Sequence, residues 1–399
     1  MIVVGGGPAG VAAATTLAAA GRDVRIVDKA VFPRDKCCGD GLTTLALREL
    51  ELLDFAPSTV ADWRVVGGAV LRAPSGRQVT VPLPDGPGTY AAVAPRLQFD
   101  DALLDVARKA GVSIVEGHAV TGVTDLDDRV VIDVADRHPL VARYVVAADG
   151  MWSPVRKAAG LAVPGYLGEW HAFRQYAGAV TGAAAEQLHV WFDADLLPGY
   201  SWSFPLPDGR VNLGFGVLRD GSWSGAQMQR AWSGLIDRPH VRAALGPDAA
   251  LEGRHTAWPI PARIDRAPIV AGRVLLTGDA AMATDVLTGE GIGQALLTGR
   301  LAAEAIVSAG ARQPDVARNR YTAAVHHHLV ADHRMSAALS RVLAHRRGAD
   351  GAIAILDHAG AWSRRNFARW MFEDEPRAVA LTPSRWHRRL LSRPGAYAR

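Results

Sequence analysis

"IVVGGGPAGVAAATTLAAAGRDVRIVD", residues 2–28, decides how the rest of the chain is read. Residues 2–4 form a short apolar run suited to a buried strand, Gly5-Gly6-Gly7-Pro8-Ala9-Gly10 a tight turn, and residues 11–20 an alanine-rich helix. Residues 24–27 give a second strand that ends in Asp28, eighteen positions beyond Gly10. Glycines let the backbone approach a pyrophosphate, the helix N-terminus favours the anion, and a carboxylate at the next strand end accepts ribose hydroxyls. The stretch therefore predicts a dinucleotide site on Gly5, Gly7, Gly10 and Asp28, with the cations Lys29 and Arg34 following. The first 21 residues carry no charged side chain and could pass for a signal peptide or membrane span. They lack a basic start, and glycines and a proline interrupt them early, so a buried strand, turn and helix account for them better.

The chain has 399 residues, 49% of them apolar, which suits two or three globular domains with a generous core. The formal charge is only +4, lysine occurs only at 29, 36, 109 and 157, and no basic run is interleaved with aromatics. That pattern argues against a nucleic-acid partner and leaves arginine for an anionic cofactor. Cys37 and Cys38 are the only cysteines. Adjacent α-carbons lie ~3.8 Å apart, short of the roughly 4.4–6.8 Å of a disulfide. Both are read as reduced thiols, which fits a cytoplasmic location, and neither belongs to a metal-type spacing.

Two later segments, "ARYVVAADGMWSPVR" (142–156) and "GRVLLTGDAAMATDVLTGEGIGQALLTGR" (272–300), each run a strand into a glycine-acid turn. With the first fingerprint they resemble, in chain order, the three FAD-binding motifs of the flavoprotein hydroxylase superfamily. The resemblance implies FAD as cofactor, contacted by Asp149, Gly150, Asp279, Gly289, Gly291 and Ile292. It gives Asp279 the ribityl chain and aims the helix beginning near Gly291 at the flavin pyrimidine, where a positive dipole favours the charge of reduced flavin. Arg96, in "APRLQFDDALLDVARKAG" (94–111), matches an arginine near the cofactor in that superfamily; its plain alternative is an exposed arginine at a helix start. Val286 stands where relatives commonly carry proline, which predicts a less rigid loop.

"LHVWFD" (188–193), "GYSWSFP" (199–205) and "RVNLGFGVL" (210–218) alternate as strands, and Pro207-Asp208-Gly209 turns the last two into a hairpin. Tyr200, Trp202 and Phe204 share one face. Such rings are commonly core; here, with Trp191, they are read as a substrate wall, since aromatic walls suit a long apolar molecule. "FPRDKCCGDGL" (32–42) crosses between the second strand and a helix predicted over 43–53. Its CG-x-G loop and the Y-x-W-x-F-P strand closely resemble the geranylgeranyl reductase family, which includes menaquinone-side-chain and phytyl-chain reductases. The resemblance spans residues 1 to about 310. Cys38, Gly39, Asp40 and Gly41 carry it, while Cys37 takes a position that is often proline in relatives and is read as a spare small residue, with a second redox group as the alternative.

The family resemblance implies hydride transfer from N5 of reduced FAD to a trisubstituted prenyl double bond, with a proton delivered to the neighbouring carbon. It places Cys38 and Gly39 against the flavin, and Cys38 and Tyr200 are the catalytic candidates, Tyr200 as proton source or orienter. The plain alternative for Cys38 is a small buried residue. A flavin monooxygenase or halogenase would use the same framework, but Tyr200 and Phe204 depart from the W-x-W-x-I-P strand of halogenases, and CGDG stands where they tend to have G-E-S. A flavin-containing isoprenoid carrier without turnover is a further reading.

"HHHLVADH" (326–333) is read as a solvated helix, because consecutive histidines point about 100° apart and no metal spacing is distinctive. The tail "NFARWMFEDEPRAVALTPSRWHRRLLSRPGAYAR" (366–399) could rest on an anionic membrane surface, but Pro383 and Pro394 favour a cap on the substrate domain. The expected architecture is α/β. A Rossmann-like FAD domain is assembled from 1–61, 93–164 and 263–345, an inserted antiparallel sheet domain from 62–92 and 165–262, and a helical segment follows at 346–399. One dinucleotide fingerprint means that NAD(P)H binds only transiently, and ferredoxin suits equally. The prenyl substrate and the oligomeric state are not written in the sequence.

Overall fold

Three apolar tripeptides, Ile2–Val4, Val145–Ala147 and Val274–Leu276, are buried at every position. Such runs belong inside a parallel sheet covered on both faces. The computed structural model, which describes residues 1–398, pairs them accordingly, with Val3 opposite Val146 and Val146 opposite Leu275. Arg25–Val27 and Ser113–Val115 extend the sheet on one side, and Val270–Ala271 adds an antiparallel edge on the other. All three glycine-acid motifs leave this sheet at the carboxyl ends of neighbouring parallel strands, the place where open α/β sheets bind ligands.

The first helix spans Pro8–Ala19, three residues earlier than its alanine run suggests, because proline's fixed φ suits the first helical position. Gly10 permits the tight turn: a Cβ there would sit 1.8 Å from the Gly5 carbonyl oxygen. Helix Ile292–Ala309 crosses this helix at Gly299, where a Cβ would lie 2.1 Å from the Ala9 oxygen.

The second sheet has seven strands, in the order Ala250–Ile260, Trp170–Gly178, Val211–Leu218, Tyr200–Pro205, Leu188–Trp191, Gly68–Arg72, Gln78–Pro82. It is antiparallel except between Leu188–Trp191 and Gly68–Arg72. Those two strands come from separate stretches of chain, so no hairpin dictates their direction. Tyr200–Pro205 and Val211–Leu218 form the expected hairpin, with Gly209 at φ +80° in its turn. One face packs Phe173, Leu213 and Phe215 against Trp232 and Val241 of the helices Gly225–Ser233 and Pro239–Leu245. The other face is turned to the nucleotide-binding half.

Helix Pro314–Val325 runs through one π-helical turn, His326–Val330, into Ala331–Leu343, and helices Arg346–His358 and Ala361–Met371 follow. The tail then folds back on the body. Ala396 exchanges backbone hydrogen bonds of 2.7 and 2.9 Å with Thr89, and Arg48 donates to the Pro394 carbonyl at 3.0 Å.

Alanine gains about 1 kcal/mol of helix propensity over glycine, whereas overpacking costs on the order of 1–3 kcal/mol. Gly299→Ala is therefore expected to lower the urea midpoint at an unchanged slope; an unchanged or raised midpoint would show that the two helices do not depend on this close approach.

Candidate active site

A cavity of about 1090 Å3 runs from the first glycine turn to the C-terminal helices. At its inner end lie Gly5, at φ +105° and with its Cβ position only 2.3 Å from the Ala148 oxygen, and Gly7, whose Cβ position is 3.5 Å from the Arg34 guanidinium. Gly10 is absent from the wall; its role is the packing just described. Asp28 accepts the Gly6 amide at 2.6 Å and the Ala30 amide at 2.8 Å, which fixes it beside the turn with lone pairs to spare. Lys29 and Arg34 also reach the cavity, and Arg34 is held by Asp100 at 2.5 Å.

Asp149 and Gly150 line the same end. Asp149 accepts from Ser153 Oγ at 2.5 Å and from the Val155 amide at 3.1 Å, while burial pushes the Asp149 carboxyl up to about 6. Arg156 Nε donates to the Ala280 carbonyl at 2.7 Å and so ties the second motif to the third. Asp279 faces the cavity and pairs with Lys36 at 3.0 Å. Gly289, Gly291 and Ile292 line the cavity at the start of helix Ile292–Ala309. The first amides of that helix are not bare, because Glu290 Oε1 accepts those of Ile292 and Gly293 at 3.0 Å each.

The loop around Val286 departs from the looseness expected of it. Asp285 accepts from the Leu287 and Thr288 amides at 3.1 and 2.9 Å, and Trp170 Nε1 donates to the Val286 carbonyl at 3.0 Å. Side-chain hydrogen bonds hold this loop in place of a proline ring.

Cys37, Cys38, Gly39 and Gly41 lie between the nucleotide end and the aromatic strand. The loop turns at Asp40, φ +64°, whose fully buried carboxylate accepts from Tyr176 Oη at 2.7 Å, Asn212 Nδ2 at 2.7 Å and the Arg96 amide at 3.3 Å. Asn212 Nδ2 also donates to the Cys38 carbonyl at 2.8 Å, and Trp202 Nε1 donates to Asn212 Oδ1 at 3.1 Å. Gly39 and Gly41 lie against the Phe204 ring so closely that a Cβ would approach it to 3.3 and 3.1 Å. Burial raises the Asp40 carboxyl to about 6 and the Cys38 thiol to about 11, and it raises Cys37 as well. Neither cysteine is therefore a thiolate near neutrality. Arg96 is 4% exposed and clamps Asp100 with two bonds of 2.7 and 2.6 Å, which rules out the exposed alternative.

Tyr200, Trp202 and Phe204 all face the cavity, their neighbouring ring centroids 6.0 and 6.1 Å apart. Trp191 does not, and its assignment to the substrate wall is corrected. It pairs with Ser201, so it points to the opposite side of the sheet, where it is 1% exposed and packs with Leu196 in the separate core. Its neighbours Val190 and Phe192 occupy the cavity face instead.

Sequence reasoning missed Tyr176, Asn212 and a buried charge cluster. Asn212 had a signal, a polar residue inside an apolar strand; the cluster had none, because it joins distant segments. Arg377 lies 3.3 Å from Asp285 and 3.5 Å from Glu373, and Glu373 accepts from Thr43 Oγ1 at 2.9 Å and Gln294 Nε2 at 2.8 Å. Burial opposes ionisation of Asp285, but Arg377 holds it below its ordinary range. Burial, then the Glu373 charge, pushes Glu290 up to about 8, and burial takes Glu373 to about 7. Burial also raises the Tyr200 phenol, which donates to the Thr288 carbonyl.

The model of a family described as FAD binding domain matches residues 1–297. A menaquinone reductase of Mycolicibacterium smegmatis is 35% identical over 341 residues, covering 78% of this chain and 76% of the relative. A digeranylgeranylglycerophospholipid reductase of Methanopyrus kandleri is 30% identical over 315 residues, 77% of each chain. A crystal structure of a geranylgeranyl bacteriochlorophyll reductase-like protein from Thermoplasma acidophilum superposes with a TM-score of 0.80 at 22% identity, covering 96% of this chain and 98% of that one.

Removing Asn212 breaks bonds to a buried carboxylate, a carbonyl and an indole, where bonds to charged groups are worth roughly 1.5–3 kcal/mol each. Asn212→Ala is expected to raise amide hydrogen exchange over residues 37–42 while residues 2–28 keep their protection. Unchanged exchange in the loop would show that Asn212 does not hold it.

Proposed function

The chain belongs to the FAD binding domain family of flavoprotein oxidoreductases, and we propose that it saturates a carbon-carbon double bond of an isoprenoid chain. The observation that carries this reading is the continuity of one cavity, lined by the glycine turns with Asp28, Asp149 and Asp279 at one end and by aromatic and aliphatic side chains at the other. Its volume of about 1090 Å3 stands just above the roughly 300–1,000 Å3 of ordinary small-molecule sites, in keeping with a dinucleotide and an apolar chain held side by side. The relatives named above are reductases of menaquinone and of a digeranylgeranyl lipid, both in keeping with such a chain.

The residues at the inner end suit FAD. Gly5 and Gly7 put no side chain between the cavity and the turn, and the helix that starts at Pro8 has no side-chain cap on its N-terminus. Asp28 would take ribose hydroxyls, with Lys29 and Arg34 beside it, while Asp149, Gly150 and Asp279 would line the ribityl side. The start of helix Ile292–Ala309, after Gly289 and Gly291, would face the pyrimidine. In this reading the nucleotide-binding half (1–61, 93–164, 263–345) supplies the cofactor wall. The sheet half (62–92, 165–262) supplies the substrate wall, and 346–399 closes it. Bound and reduced, FAD supplies the hydride to one carbon of the double bond; a nicotinamide or ferredoxin would serve equally as the electron source.

An alkene without a carbonyl must be held close, kept dry and given a proton. Tyr200, Trp202 and Phe204 exclude water and align the chain, and the Cys38 loop closes over it. Cys38, Tyr200 and Glu290 all hold a proton at neutral pH, and all line the cavity. A general acid works best with a pKa near the operating pH, which favours Glu290 as donor, Tyr200 as orienter and Cys38 as the contact against the reacting carbons.

Anaerobic mixing of the reduced holoenzyme with a geranylgeranyl or menaquinone-type substrate should reoxidise the flavin and add two hydrogens to the product by mass spectrometry. Reoxidation only after oxygen is admitted, with a gain of one oxygen, would instead make the protein a monooxygenase. Because the donor must be protonated, the anaerobic rate should fall as pH rises through about 8. Glu290→Gln should keep FAD but lose roughly 10²–10⁴-fold in that rate together with the pH limb. A variant with the wild-type rate and profile would move the acid to another residue.

A further inference from the structure

We propose that the outer end of the cavity is a docking mouth for an anionic bilayer surface, built by helices Ala331–Leu343 and Arg346–His358. The idea that a lipid chain passes through it rests on the reductase reading; the docking itself does not. Val342 and Ile355 are 54% and 73% exposed, yet both line the same cavity as Gly5. Leu339, Ile353 and Leu356 continue the wall inward. An apolar passage that opens to solvent through exposed aliphatic side chains marks an interaction surface. The two helices meet at the opening, since a Cβ on Gly348 would fall 2.0 Å from the Val342 carbonyl oxygen.

The charge around the opening selects the partner. Arg334, Arg341, Arg346 and Arg347 are exposed on these two helices. Arg347 and Ile355 are eight positions apart and share a helix face. The acids of the same helices offset only one of the four. Asp332 takes Arg385 at 2.9 Å, Asp357 takes Arg77 at 2.6 Å, and Asp350 accepts the Ser75 amide at 2.8 Å and lies 3.8 Å from Arg346. Among the described residues Arg341 and Arg347 have no carboxylate within 4.0 Å. The next helix, Ala361–Met371, presents Trp362 at 68% exposure near its start and sends Phe367 and Trp370 into the cavity wall. Basic side chains around aliphatic residues and an exposed tryptophan fit a lipid headgroup layer. Among the described residues no helix is long and apolar enough to cross a membrane, so the contact is peripheral.

Full-length holoenzyme is sedimented with vesicles of phosphatidylcholine alone or mixed with phosphatidylglycerol. Binding to the mixed vesicles, weakening as salt is raised, is expected, and the pair Arg341→Glu, Arg347→Glu should weaken it at least tenfold. Ile355→Asp should do the same at fixed salt. With the arginine pair, reduction of a vesicle-embedded substrate should fall in parallel, while reduction of a short, water-soluble isoprenoid stays unchanged. Equal affinity of wild type and variants for mixed vesicles would overturn the proposal. So would a concentration-dependent dimer that Ile355→Asp dissolves, which would assign the surface to a second copy. If the wild type fails to reduce the soluble isoprenoid, the reductase reading fails while the vesicle result still decides the docking surface.

Discussion

The Asp40 carboxylate joins the two halves of this protein. It sits in a loop of the nucleotide-binding half, fully buried, and takes hydrogen bonds from Tyr176 and Asn212 of the seven-stranded sheet and from the amide that opens the Arg96 helix. Burying a carboxylate is expensive unless each lone pair finds a donor. Here three donors converge, with Arg174 and Arg96 nearby in charge, and the carboxyl still titrates above its ordinary range because burial dominates. Such a group is a poor source of stability and a strong source of position. It fixes Cys38, Gly39 and Gly41 against Trp202 and Phe204, and so sets the wall of the cavity at that point.

From that junction the cavity extends both ways. On the nucleotide side Gly5, Gly7 and the uncapped start of the first helix line it, and on the sheet side one face of a strand is a row of rings. The second buried network, Asp285, Glu290, Glu373 and Arg377, closes the end near Tyr200 with three carboxyl groups against one guanidinium. That imbalance keeps a proton in the wall of an otherwise apolar space, which is what saturation of an unpolarised double bond requires. The C-terminal helices supply the remaining wall and leave it open to the outside at Val342 and Ile355.

What could be read from the sequence was local or periodic. The turn from Gly5 to Gly10, the acids at 28, 149 and 279, and the common face of Tyr200, Trp202 and Phe204 each follow from spacing within a few residues. Trp191 shows where that stops. Its residue type suggested a pocket wall, but a strand side chain's face is set by register, and pairing with Ser201 sends it to the other core. Asp285 and Glu373 meet around Arg377 from distant segments, and no periodicity reports such a meeting. The segment 346–399 reads only as helical, without saying what its helices cover. Val286 carried the opposite lesson, since the missing proline is offset by Asp285 and Trp170, side chains whose bonds only the fold reveals.

The central claim is that one continuous cavity holds cofactor and isoprenoid together, with the Cys38 loop between the sheet and the reacting carbons. The most direct measurement is a crystal structure of the FAD-bound protein with a non-reducible polyprenyl analogue. The account predicts the flavin ring between the Cys38 loop and Gly289–Gly291, and the chain running along Tyr200, Trp202 and Phe204 toward Val342 and Ile355. A chain bound outside that channel, or a flavin ring turned away from Cys38, would contradict it.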